Sequence, residues 1–189
     1  MSLTSFAVDI PAVIEKRRTL IDETAGIGPD DLRALTVELY DRLEELTTGI
    51  DDRAVVFVPA DPDADPVGVP GWTLGHVVAH LTAGLEEGAA QGCTLARGAE
   101  IAGRPRYETP WEAVATAAQV RQRLAESRRM ALVFLDAVPD APHLGNLHEH
   151  SFFGPMDAVS HHAMGINHAR AHLAQLAEIR QQAAAATER

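Results

Sequence analysis

The sequence predicts an all-α protein: a four-helix bundle with a crossover connection, preceded by a short N-terminal helix. Three observations carry this expectation. Ala and Leu abound while aromatic residues make up only 5% of the chain, a composition that favours helix over strand. Apolar residues recur at helical spacing in four segments long enough to be bundle helices. Clusters of Gly and Pro separate these segments, and the longest separation lies between the first two. At 189 residues, with 46% apolar and 23% charged residues, the chain suits one domain with a sizeable core and is short for two. Residues 1–28 are expected to form an extension carrying the short helix, and residues 29–185 the bundle.

Taken in order, Ile10 to Thr24 read as the short leading helix, with Pro11 suited to its first turn. Gly26 and Gly28 end it. Asp30 or Asp31 can then cap a long helix whose Leu32, Leu35, Leu39, Leu43 and Leu46 recur at helical spacing. Residues 50–71 contain four prolines and repeated Asp, which exclude regular helix, with Val55–Val58 suited to a short extended segment. A loop of that length is often functional and is a candidate to lie across the mouth of a site. Trp72 opens the next helix, running to about Gly98 with Leu74, Val77, Val78, Leu81 and Leu85 as its core stripe. Thr109 and Pro110 supply an N-cap and first-turn proline for a helix that ends before Pro139. Residues 139–154 read as a loop, and Pro155 starts a last helix reaching about residue 183.

Composition also excludes partners. A net charge of −11 argues against nucleic acid, which needs a basic patch, and against an anionic membrane surface. No apolar run approaches the ~20 residues of a membrane span, and no secretory signal pattern opens the chain. Cys93 is the only cysteine, so no intramolecular disulfide forms and a cytoplasmic location is the simplest expectation. A core-packing role suits Cys93 better than a nucleophilic one.

Chemistry concentrates in the nine histidines. In the last helix, His161, Gly165, His168, His172, Leu176 and Ile179 fall along one stripe at 100° per residue. His168 and His172 are one turn apart, so their imidazoles can converge, as i, i+4 histidines gripping a transition metal do. The stripe continues into core leucine and isoleucine, where unpartnered imidazoles would leave polar nitrogens unsatisfied. His162 points away from it. In the second long helix His76 and His80 are also one turn apart. The wheel leans weakly toward His80, which lies at the edge of the core stripe, and leaves His76 as a solvated or packing residue. His148 and His150 read as pocket rim or surface, His143 carries little information, and Arg170 reads as solvated. Di-iron carboxylate sites need Glu-x-x-His pairs, and no Glu lies three residues before any His. The H-E-x-x-H helix and phosphate-binding glycine loops are also absent.

Two segments resemble a known family. GWTLGHVVAHL at 71–81 is similar to the second-helix signature of the DinB-like superfamily, and NHARAHLAQL at 167–176 to its fourth-helix signature. The order and spacing fit, and the likeness covers most of residues 30–180. The resemblance implies a four-helix bundle with a crossover and a divalent transition metal held by His80, His168 and His172; for His80 it carries most of the weight. Imidazole donors suit Zn, Ni, Cu and Fe alike, with zinc or nickel the leading expectation. The first segment is most like mycothiol-dependent maleylpyruvate isomerase. That branch carries a glutamate where this chain has His168, and a further C-terminal domain. A thiol-dependent S-transferase reading therefore fits better than the isomerase, with a low-molecular-weight thiol such as mycothiol and an electrophile as its small-molecule partners. His161 is a candidate for proton transfer or for supporting the ligands. A non-catalytic metal- or ligand-binding stress protein and a metal-dependent hydrolase would use the same triad. Homodimerisation is compatible with such a bundle, and no sequence feature fixes it.

Overall fold

A computed structural model describes residues 1–60, 71–103 and 108–187. Most of the fold is helix: α1 (Ile10–Ile14), α2 (Leu20–Glu23), α3 (Pro29–Thr47), α4 (Asp52–Val56), α5 (Leu74–Ala96), α6 (Ala117–Asp136), α7 (Ala158–Ala171) and α8 (Leu173–Thr187), with a 3₁₀ turn at Trp111–Ala113. A small antiparallel hairpin, β1 (His148–His150) and β2 (Gly154–Met156), pairs His148 with Met156 and His150 with Gly154.

Four long helical segments make the bundle. α5 packs against α6 and α7, and α3 closes the ring against the same two. The first two long helices, α3 and α5, therefore sit diagonally, so their connection is a crossover. The apolar stripe of α3 forms the core as its spacing requires: Leu35, Leu39 and Leu43 are fully buried, each worth about 1.5–3 kcal/mol of transfer free energy. Tyr40 on the same helix is also fully buried, and its hydroxyl lies 2.7 Å from Ser127 Oγ on α6. The N-terminal segment packs into the same core through Leu3, Phe6, Val13 and Leu20. Arg170 helps hold it: its guanidinium donates to the Phe6 carbonyl and lies over the Phe6 ring. A solvated Arg170 is thus not what is found.

Several boundaries differ from expectation for local reasons. The single leading helix is two short ones, because the chain turns at Lys16 (φ 58°) and a capping box between Thr19 and Asp22 starts α2 afresh. At α3 the cap position is Gly28, and Asp31 reaches back from the first turn to accept its amide at 3.2 Å. Val55 and Val56 are helical, not extended, since Asp51 caps the Ala54 amide at 2.9 Å and Val55 enters the core. α6 begins at Ala117, capped by Thr116, and Thr109–Pro110 instead precede the 3₁₀ turn. Pro155 lies in β2, and Asp157 caps α7. The last helix is interrupted at His172, whose amide bonds three residues back to Ala169 at 3.1 Å. The expectation of a loop across the mouth of the site falls largely on residues 61–70, outside the described residues. No helix among the described residues is long and apolar enough to cross a membrane.

Candidate metal centre

Three helical positions bring the site together. His80 is carried by α5, whose start is fixed by the Thr73 hydroxyl accepting the His76 amide at 3.2 Å. His168 lies in the last turn of α7, and His172 at the junction with α8. Across that junction His172 stays one turn from His168.

The geometry is that of three imidazoles aimed at one point. His168 Nε2 lies 3.2 Å from His80 Nε2 and 3.2 Å from His172 Nε2. Ring centroids are 4.8–5.3 Å apart and the rings near perpendicular. Two nitrogens on one tetrahedral zinc, each at about 2.0–2.1 Å, stand about 3.3 Å apart. The spacing therefore matches that of ligands, and His80, His168 and His172 are the one such group among the described residues. Trp72 packs beside the site, edge-on to His80 at 4.8 Å and parallel to His172 at 6.3 Å.

The hydrogen-bond partners of the three rings suit a cation between them. His172 Nδ1 donates to Gln175 Oε1 at 2.8 Å, and His80 Nδ1 faces the Glu108 carboxylate at 3.5 Å. Both arrangements place the proton on Nδ1 and leave Nε2 as a lone pair. The one Nε2 of His168 carries at most one proton, so it cannot satisfy both neighbours by donation. With His168 as its Nδ1–H tautomer, three Nε2 lone pairs would converge on a point that a metal ion satisfies, and the donor set suits a borderline transition metal. All three residues are half-buried.

Close helix approach sets this spacing. Gly84 and Gly88 on α5 meet Gly165 on α7 with almost no side chain between them. A Cβ at Gly88 would lie 2.8 Å from the His161 carbonyl oxygen, and one at Gly84 would lie 3.1 Å from His168 Nδ1. Beside this crossing is a cavity of about 570 Å³ that reaches His168 and is walled by Phe152, Phe153 and Met164, with His148, His150 and His161 also facing it.

The remaining histidines divide clearly. His161 is buried in the cavity wall, its Nε2 3.2 Å from His148 Nδ1 on the hairpin. Burial, reinforced by His148 and His150, pushes it down to about 4. His150 Nδ1 accepts the amides of Phe152 and Phe153 at 3.2 Å and holds the hairpin turn. His76 is sandwiched between Trp72 and Trp111, at 4.2 and 5.0 Å, and burial lowers it. His162 does point away from the ligand stripe, but into the core: its Nε2 bonds Thr36 at 3.1 Å. Cys93 is buried and its thiol pushed up by burial, the opposite of an activated nucleophile.

Glu108, Gln175 and Trp72 were not singled out as site residues by sequence reasoning. Gln175 had a usable signal, since it lies three residues after His172 on a helix. Glu108 had none, because only the fold brings its loop over α5.

Comparison with curated proteins finds no match, and comparison with solved structures finds none either. A family model described as the DinB superfamily matches residues 35–176, a span that includes all three converging histidines. The chain belongs to the DinB superfamily.

Proposed function

We propose that this protein is a metal-dependent S-transferase that joins a low-molecular-weight thiol, such as mycothiol, to a small electrophile. The observation that supports it is the convergence of three imidazole Nε2 atoms on one half-buried point. His80, His168 and His172 would hold the ion, with zinc or nickel most in keeping with imidazole donors. A divalent ion with an open position supplies charge that favours the thiolate, the competent nucleophile, at neutral pH.

The chain's own residues do the rest. Gln175 and Glu108 hold the tautomers of His172 and His80. Trp72 restricts both rings, so the ligand set is preorganised. Phe152, Phe153 and Met164 give the neighbouring cavity apolar walls, suited to the carbon skeleton of an electrophile. His161, neutral and bonded to His148, is the candidate group in that cavity for exchanging a proton.

The test is incubation of zinc- and nickel-loaded protein with mycothiol, bacillithiol or glutathione and a generic electrophile, followed by mass spectrometry of the adduct. Metal-dependent adduct formation that is lost in His168→Ala supports the transferase. Ester or amide cleavage without any thiol would replace it with a hydrolase, and metal binding with no turnover would replace it with a binding protein.

A further inference from the structure

A second cavity, of about 230 Å³, lies away from the histidine triad, between the N-terminal ends of α3 and α7 and the C-terminal halves of α5 and α6. It exists because α5 presents small residues there: Ala89, Gly92, Cys93 and Ala96 fall on one face. A Cβ at Gly92 would lie 2.7 Å from the Ala158 carbonyl oxygen, so the helices cannot close the space by a larger residue there. The walls are apolar, chiefly Ile27, Leu32, Phe134, Val138, Ala158 and Val159. Arg33 at the rim is engaged by Asp136.

Asp30 also lines the cavity, and His162 is the buried polar side chain in its wall. Thr36 commits its hydroxyl proton to the Leu32 carbonyl at 2.7 Å, so His162 must donate to it from Nε2. That leaves Nδ1 as an acceptor. His162 is only 6% exposed and lines this cavity. Its Nδ1 has no hydrogen-bond partner among the described residues. His162 is thus a cavity-lining ring with an acceptor nitrogen left for a ligand. Burial keeps the ring neutral, pushed down to about 4, so it does not attract anions.

We infer that this cavity is a binding site for a small neutral molecule of one aromatic ring carrying one hydrogen-bond donor, a phenol-class ligand, held by apolar walls and by His162 Nδ1. Dry apolar cavities of about 150 Å³ already take up benzene, and this one is larger and adds an acceptor. The inference goes beyond the thiol-transfer reading and does not depend on it, because none of the three metal-site histidines lines this space.

The experiment titrates the full chain with phenol and with toluene, following amide shifts by NMR and stoichiometry by calorimetry. Saturable one-to-one binding is expected for both, with shifts confined to residues 89–96, 134–138 and 158–162, and unchanged in His80→Ala. Cys93→Met, which fills the space, should weaken both ligands about tenfold. His162→Phe should weaken phenol about tenfold, the consequence of an unmet donor, and leave toluene unaffected. Absence of saturation in the wild-type protein overturns the inference. So do shifts located at Gly84–His168, or phenol binding indifferent to His162→Phe. If a variant fails to fold, the wild-type shift map decides alone.

Discussion

Replacing Gly88 by Ala tests the role assigned to the α5–α7 crossing. In an ordinary helix the change stabilises by roughly 1 kcal/mol through propensity. At Gly88 the new methyl would meet the His161 carbonyl oxygen at 2.8 Å and Gly165 Cα at 3.4 Å, about 0.6 Å inside ordinary contact for the first. Both obstacles are backbone, so no rotamer change relieves them. Overpacking of this kind costs about 1–3 kcal/mol, which outweighs propensity and leaves a net loss of about 1 kcal/mol. For a chain of this size that lowers Tm by roughly 2–4 °C. The helices must also separate, which moves His80 away from His168 by more than the ~0.2 Å a metal site tolerates. Metal affinity should fall by about 10–100-fold, as when ligand support is lost. Gly84→Ala separates the two effects. Its methyl meets only the His168 ring, at 3.1 Å, so the metal-free protein should be as stable as wild type or more so while metal affinity falls. Thermal melts of the metal-free proteins and competition with a chromophoric chelator read both quantities. A Gly88→Ala protein that melts higher than wild type and binds metal equally well would show that the crossing does not set the ligand spacing.

Other expectations follow from the same contacts. His161 and His162 are both pushed down to about 4 by burial, whereas in the unfolded chain they take up protons near 6.5. The unfolded state then binds more protons, so stability should fall as pH drops from about 6.5 toward 4 and level off below; in His162→Phe a urea series across that range should show a shallower fall. Tyr40→Phe removes the buried 2.7 Å contact with Ser127 and should lower unfolding free energy by about 1–2 kcal/mol, read by chemical denaturation. Trp72 lies against His80 and His172, so nickel or copper should quench tryptophan fluorescence, and Trp72→Phe should remove most of that metal-dependent change.

Much of this was legible in the chain, and the exceptions have physical causes. The α3 stripe and the α5 stripe were readable because 3.6-residue periodicity maps directly to burial. The convergence of His168 with His172 was readable for the same reason, whereas the choice of His80 over His76 needed the family resemblance, since the wheel places His80 only at the edge of the core. Short elements were the weak point. Lys16 takes a left-handed conformation with no glycine to announce it, and the hairpin at His148–Met156 is too short for alternation to show. His162 illustrates a different limit: its direction away from the ligand face was readable, but its landing on Thr36 depends on a helix 126 residues earlier.

The central claim is that His80, His168 and His172 hold one divalent transition metal between them. Metal analysis of protein purified without an affinity tag, alongside His80→Ala and His172→Ala, tests it most directly. About one equivalent of zinc or nickel is expected in the wild-type protein, with most of it lost in both variants. Equal metal content in all three proteins would contradict it.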